Sequence, residues 1–256
     1  MKNTTLKKNL LNNKATLGCW LTLAHPSIAE IMSNAGFDWI VIDLEHSVIT
    51  IKEAEELIRI IELNGITPLV RLTSNNEQQI KRVMDAGAYG IIVPMIKTID
   101  DVRLAINSIK YPPKGVRGVG LARAHKYGSE FNEYLKWQDD SSIIIIQIEH
   151  IDAVNNLEAL FSIKEVDGYI IGPYDLSASM GIPGQFENKD YLSAIRKIKD
   201  TAAKYNMCGG IHIVEPDINQ LSLRLDEGYR FIAYSLDTRM IDVACRKAVN
   251  FINKKG

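Results

Sequence analysis

Several polar or charged side chains stand directly behind apolar runs: Asp43-Leu44-Glu45-His46, Arg71, Gln147-Ile148-Glu149 and Gly172-Pro173-Tyr174-Asp175. Glu149 and Asp175 supply carboxylate oxygens with no cysteine or histidine cluster beside them. An oxygen-rich pair of this kind suits Mg²⁺ or Mn²⁺, which keep waters and take one or two carboxylates plus the substrate. A metal-free acid/base pair is the alternative. Gln147 and Glu149 are two positions apart, so on an extended strand both side chains point to one face. Arg71 carries an always-charged planar fork, fit to hold a carboxylate or a developing enolate. His46 suits proton transfer near neutral pH. Among the other histidines, His25 and His212 end apolar runs and are candidates for substrate contacts, His125 lies in a long loop, and His150 is expected to face away.

These residues need a frame that brings them together. Short β-branched runs alternate with longer helical patterns, which argues for βα units and a parallel sheet. Eight strands are expected, at 17–23, 39–43, 67–71, 90–94, 143–149, 168–172, 208–213 and 231–234. Several are almost continuously apolar, as strands covered on both faces should be. Helices are expected at 51–64, 74–86, 189–205 and 237–255. Thr50 and Glu53 resemble a capping box for the first of these, and Asn64-Gly65, Ala86-Gly87 and Glu227-Gly228 read as helix-closing turns. Eight strands with eight helices predict an α/β (β/α)8 TIM barrel, one domain over 1–256, with its active site at the carboxyl ends of the strands. The charged residues above fall at those ends. The 111–138 connection is longer than a barrel needs, which predicts a functional role.

Composition narrows the field further. A net charge of -1 provides no field to gather nucleic acid or an anionic membrane surface. No apolar stretch approaches a membrane span or a signal peptide. Cys19, Cys208 and Cys245 are scattered, with no C-x-x-C pair, which fits a reducing, cytoplasmic setting. The sixth predicted strand has no lysine for Schiff-base chemistry. Gly115-Val-Arg-Gly118-Val-Gly120 has the wrong spacing for a dinucleotide fingerprint and reads as a tight turn.

The chain resembles the HpcH/HpaI family of class II pyruvate aldolases. The likeness rests on Ala35-Gly-Phe-Asp-Trp-Ile-Val-Ile-Asp-Leu-Glu-His46, Pro68-Leu-Val-Arg71, Ile80-Lys-Arg-Val-Met-Asp-Ala-Gly87 and Tyr111-Pro-Pro-Lys-Gly-Val-Arg-Gly118. Gln147-Ile-Glu149 and Gly168-Tyr-Ile-Ile-Gly-Pro-Tyr-Asp-Leu-Ser177 complete it. The resemblance implies a phosphoenolpyruvate/pyruvate-type barrel that cleaves or forms a 4-hydroxy-2-oxo acid from pyruvate and an aldehyde. It implies a divalent metal (Mg²⁺ or Mn²⁺, with Co²⁺ also admissible) on Glu149 and Asp175, and a 2-oxo acid held by Gln147 and the chain around Tyr174 and Asp175. His46 would transfer a proton with Asp43 nearby, a metal-activated water being the other candidate base. Arg71 would stabilise the enolate, and Asp85 would tune the histidine across a subunit contact. A hexamer with an exchanged terminal helix is implied as well. Related barrels act on CoA thioesters or oxaloacetate-like donors, and a non-catalytic barrel is the remaining alternative. Three positions depart from the family pattern: Tyr174, His212 within Gly210–Glu215, and Ala233-Tyr-Ser-Leu-Asp237. They lie where the aldehyde should bind, so a sugar-derived aldehyde is the expectation there.

Overall fold

The computed structural model describes residues 5–254. Eight parallel strands close into a barrel in simple sequential order: β1 Thr16–Leu21, β2 Trp39–Asp43, β3 Thr67–Arg71, β4 Gly90–Val93, β5 Ile143–Ile148, β6 Gly168–Ile171, β7 Gly209–Ile213 and β8 Phe231–Leu236. Helices separate consecutive strands, as the alternating pattern predicts.

Strand alternation divides the core in two. On β5, Ile144, Ile146 and Ile148 face the helix layer, whereas Ile143 and Ile145 join the barrel interior. The interior is filled by Trp39, Val41, Leu69, Ile92, Ile170 and Phe231 among others. Trp39 stacks on Phe231, with ring centroids 4.0 Å apart. That indole occupies the space a side chain at position 18 would need: a Cβ on Gly18 would lie 2.1 Å from the Trp39 ring. The helix Leu6–Leu11 inserts Leu6 and Leu10, one helical turn apart, into the same interior cluster. The floor of the barrel is therefore packed, and a ligand must enter at the opposite rim.

The expected helices are present, with ends set by local chemistry. Thr50 and Glu53 form the capping box of Ile51–Leu63. The helix expected at 74–86 begins at Glu77, because the Asn76 side chain accepts the Gln79 N–H at 3.0 Å. The last helix runs Asp237–Asn253, and its expected end at 255 lies outside the described residues. No helix among the described residues is long and apolar enough to cross a membrane.

The long 111–138 connection has a structural use that its length did not reveal. Arg117 is fully buried, donating to Asp85 Oδ1 at 2.5 Å and to the Tyr134 hydroxyl at 2.9 Å, and it lies over the Tyr111 ring. Arg123 pairs with Glu62 at 2.5 Å and donates to the Ala86 carbonyl. The segment is fastened to the flanking helices, and none of its residues lines the cavity at the barrel mouth.

Candidate active site

A cavity of about 320 Å³ opens at the carboxyl ends of the strands. Asp43, His46, Arg71, Gln147, Tyr174 and Asp175 all line it, so six of the sequence-predicted site residues share one space. Each arrives there for a local reason. Asp43 and Arg71 are register partners across β2 and β3, which sets them at the same height on the same face. Gln147 lies opposite the inward-facing Ile170 of β6, and Glu149 follows two residues on. Position 172 must be small: a Cβ on Gly172 would meet Glu149 Oε2 at 2.6 Å and Gln147 Nε2 at 3.2 Å.

Asp43 organises the β2–β3 side. Its carboxylate is buried and accepts Arg71 Nε at 2.8 Å and Arg71 Nη2 at 2.6 Å, a two-point fork. The same Oδ1 accepts the backbone N–H groups of Glu45 and His46, at 3.0 and 3.3 Å. One acid therefore fixes both the guanidinium and the loop that carries the histidine. The His46 side chain remains largely exposed at the mouth, 3.9 Å from Glu45.

The β5–β6 side is acidic. Glu149 is buried, with Oε1 accepting the Met95 N–H at 2.6 Å and Oε2 accepting Gln147 Nε2 at 2.5 Å. Burial pushes its pKa up to about 7, and the nearby Glu45 and Asp175 carboxylates push in the same direction against those two hydrogen bonds. Glu45 is raised to about 6, by burial first, with Arg71 opposing and Asp43 and Asp175 adding to the rise. Three carboxylates, Glu45, Glu149 and Asp175, thus lie near one another, of which Asp175 alone lines the cavity, and Gln147 Oε1 is buried without a hydrogen-bond partner.

This donor set could hold a hard divalent cation. Carboxylate and amide oxygens are the right ligand class, and a cation would relieve the like-charge crowding around Glu149. Among the described residues no three His, Cys, Asp or Glu side chains converge as a ready-made cage. Glu149 and Asp175 would leave most positions to water and substrate, as Mg²⁺ sites commonly do.

Other expected residues sit elsewhere. Within one chain Asp85 does not line the cavity; it ends the helix Glu77–Asp85 and pairs with Arg117. His25, a candidate substrate contact, instead caps the helix Pro26–Asn34 through Nδ1, which accepts the Ser27 N–H. His150 caps Ile151–Asn155 in the same way. His125 is buried in the long connection against the Gly120 carbonyl. His212 does line the cavity, as its strand-end position predicts. Sequence reasoning assigned no role to Glu45 or Trp20. Glu45 pairs with Arg71 Nη1 at 3.2 Å, and the Trp20 ring lies 4.2 Å beneath the Arg71 guanidinium. Glu45 was visible inside the Asp43–His46 motif, whereas nothing in the chain marked Trp20.

Comparison with known proteins agrees with this architecture. The family model described as HpcH/HpaI aldolase/citrate lyase matches residues 16–243. A hydroxypyruvate/pyruvate aldolase of Sagittula stellata is 36% identical over 239 residues, 93% of each chain. A 4-hydroxy-2-oxo-heptane-1,7-dioate aldolase of Salmonella typhimurium is 34% identical over 243 residues, covering 94% of this chain and 91% of the relative. A crystal structure of an HpcH/HpaI aldolase/citrate lyase family protein from Burkholderia cenocepacia superposes with a TM-score of 0.91 at 29% identity, over 98% of this chain and 99% of the other. The match extends from β1 into the final helix and so takes in every strand that builds the cavity: this chain belongs to the HpcH/HpaI aldolase/citrate lyase family.

Proposed function

We propose that the chain is a carbon–carbon lyase of the pyruvate aldolase type, cleaving a 4-hydroxy-2-oxo acid to pyruvate and an aldehyde or running the reverse addition. The observation that carries this reading is the shared rim. There Asp175, Gln147 and an Arg71 guanidinium already locked by Asp43 line one small cavity, with Glu149 buried beside it and hydrogen-bonded to Gln147. The aldolase names of relatives at 34–36% identity support it.

Glu149 and Asp175 would hold Mg²⁺ or Mn²⁺, and Co²⁺ is also admissible. When bound, the cation supplies Lewis-acid polarisation of the 2-oxo acid carbonyl. The chain's own residues do the rest. Gln147 and the backbone around Tyr174 and Asp175 orient the 2-oxo acid. Asp43 takes the Nε–Nη2 edge of Arg71 and Glu45 lies against Nη1, and the N–H groups these leave over would face the developing enolate oxygen, a preorganised donor of the kind that stabilises charge in the transition state. His46, at the mouth, exchanges the proton at the carbon next to the carbonyl or passes it to water. Asp85 acts on the His46 of a neighbouring subunit, with Arg117 holding its carboxylate from behind.

That last role needs a homo-oligomer, a hexamer by resemblance. The final helix supports one: it buries only Asp237 and leaves Ile241, Val249 and Ile252 exposed, a face that another subunit would cover. Free thiols at Cys19, Cys208 and Cys245 suit a cytoplasmic setting. A CoA-thioester reading has less support, since Arg71 is the only Lys or Arg lining the cavity among the described residues and it is already paired with two carboxylates.

The test is pyruvate release from racemic 4-hydroxy-2-oxo acids, coupled to lactate dehydrogenase, with Mg²⁺ or Mn²⁺ and with chelator. Metal-dependent release is expected. No release from any member of a short aldehyde-length series, in either metal, would overturn the proposal.

A further inference from the structure

The cavity has a second wall that the pyruvate chemistry does not use, formed by Trp20, Thr22, His212, Val214 and Leu236 at or just beyond the ends of β1, β7 and β8. It is largely apolar, and its polar atoms are mostly taken. The Thr22 hydroxyl donates to Asp237 Oδ1 at 2.6 Å, and Asp237 also accepts the Thr22 and Leu23 N–H groups. The Trp20 indole N–H is sealed from solvent without a partner. That leaves His212.

His212 is fixed in both orientation and tautomer. Residues alternate along β7, with Ile211 and Ile213 packing toward the helices, so His212 faces inward. Its ring lies 5.4 Å from the Trp20 ring. Nε2 is 3.3 Å from the Ser235 carbonyl oxygen. A carbonyl can only accept, so Nε2 carries the hydrogen and Nδ1 carries the lone pair. Ser235 is itself held: it is buried, left-handed at φ 58°, and its hydroxyl donates to the Val214 carbonyl at 2.8 Å. Burial keeps the imidazole neutral by lowering its pKa to about 4, so Nδ1 remains an acceptor at working pH. Among the described residues it makes no hydrogen bond.

A lone, oriented acceptor on an apolar cavity wall calls for an O–H donor on the ligand. Neither pyruvate nor a simple aldehyde has one beside its carbonyl. We propose that His212 is a specificity-determining residue whose Nδ1 accepts a hydrogen bond from a hydroxyl adjacent to a reacting carbonyl. The hydroxyl is carried either by a 2-hydroxyaldehyde acceptor or by a 3-hydroxy-2-oxo acid donor. This assignment rests on the aldolase reading above. A neutral hydrogen bond of this kind is worth on the order of tenfold in kcat/KM.

The experiment is a four-way matrix: pyruvate or hydroxypyruvate as donor, against glycolaldehyde or acetaldehyde as acceptor, in wild type and His212→Phe. Wild type should favour a hydroxylated partner by about tenfold, and the arm showing the preference tells donor from acceptor. His212→Phe, which keeps a ring against Trp20, should erase that ratio. The same preference in both proteins would overturn the assignment while leaving the aldolase reading intact. A second measure needs no variant. When wild type is offered the hydroxylated and plain partners in competition, equal use would also overturn it. Wild type that makes no product in any of the four reactions would remove the aldolase reading and this assignment with it.

Discussion

Replacing Glu149 by Gln should stabilise the metal-free protein while removing its metal response. The carboxyl of Glu149 is raised from the usual 4.5 to about 7, mainly by burial and then by Glu45 and Asp175. Between those two values the folded protein binds a proton that the unfolded chain does not. Stability from this group is therefore present below about pH 4.5 and is lost as pH rises through about 7. At about 1.4 kcal/mol per pH unit, the ionised side chain costs the metal-free fold about 3 kcal/mol at pH 8 as an upper bound. A glutamine there is neutral at every pH. Its oxygen can still accept the Met95 N–H, and Gln147 can turn its amide so that its orphaned Oε1 receives the new N–H. The expected result, by thermal denaturation in chelator, is a Tm for Glu149→Gln roughly 6–10 °C above wild type at pH 8, with the gap closing toward pH 5. Glu45 titrates nearby and bends both curves, so the difference between the proteins is the quantity to read. Adding Mg²⁺ should raise the wild-type Tm at pH 8 and leave the variant unmoved. A variant no more stable than wild type at pH 8 would refute the reasoning.

Two further substitutions probe the geometry. Arg71→Lys loses the two-point fork to Asp43 while keeping the charge, so kcat should fall by roughly 10²–10³-fold with a smaller change in KM; steady-state kinetics with near-normal kcat would count against it. Gly172→Ala places a methyl 2.6 Å from Glu149 Oε2 and 2.8 Å from its Cβ. This should displace that carboxylate, weaken Mg²⁺ binding measured by calorimetry, and lower stability by about 1–3 kcal/mol.

Much of this architecture was legible because strand and helix periods are written into the chain. The 39–43 and 67–71 strands have the expected bounds, and the shared face of Gln147 and Glu149 follows from alternation alone. The Asp43–Arg71 fork is a consequence of register between two strands, which a reading of either strand cannot supply. The length of the 111–138 segment predicts a functional role, whereas the partners that anchor it, Asp85 and Glu62, lie far away in sequence. His25 precedes Pro26 at a helix start, and that capping signal outweighed its strand-end position. The Leu6–Leu11 helix is short and set in a Lys/Asn-rich stretch, with only the four-residue spacing of its two buried leucines, Leu6 and Leu10, to mark it.

The most direct test of the central claim is proton–deuterium exchange of the pyruvate methyl group, followed by NMR with Mg²⁺ and with chelator. It isolates enolate formation and requires no knowledge of the aldehyde. Exchange in wild type should need the metal and should be lost in Glu149→Ala and Asp175→Ala. Exchange that persists in both variants, or fails in wild type with every divalent metal tried, would contradict that claim.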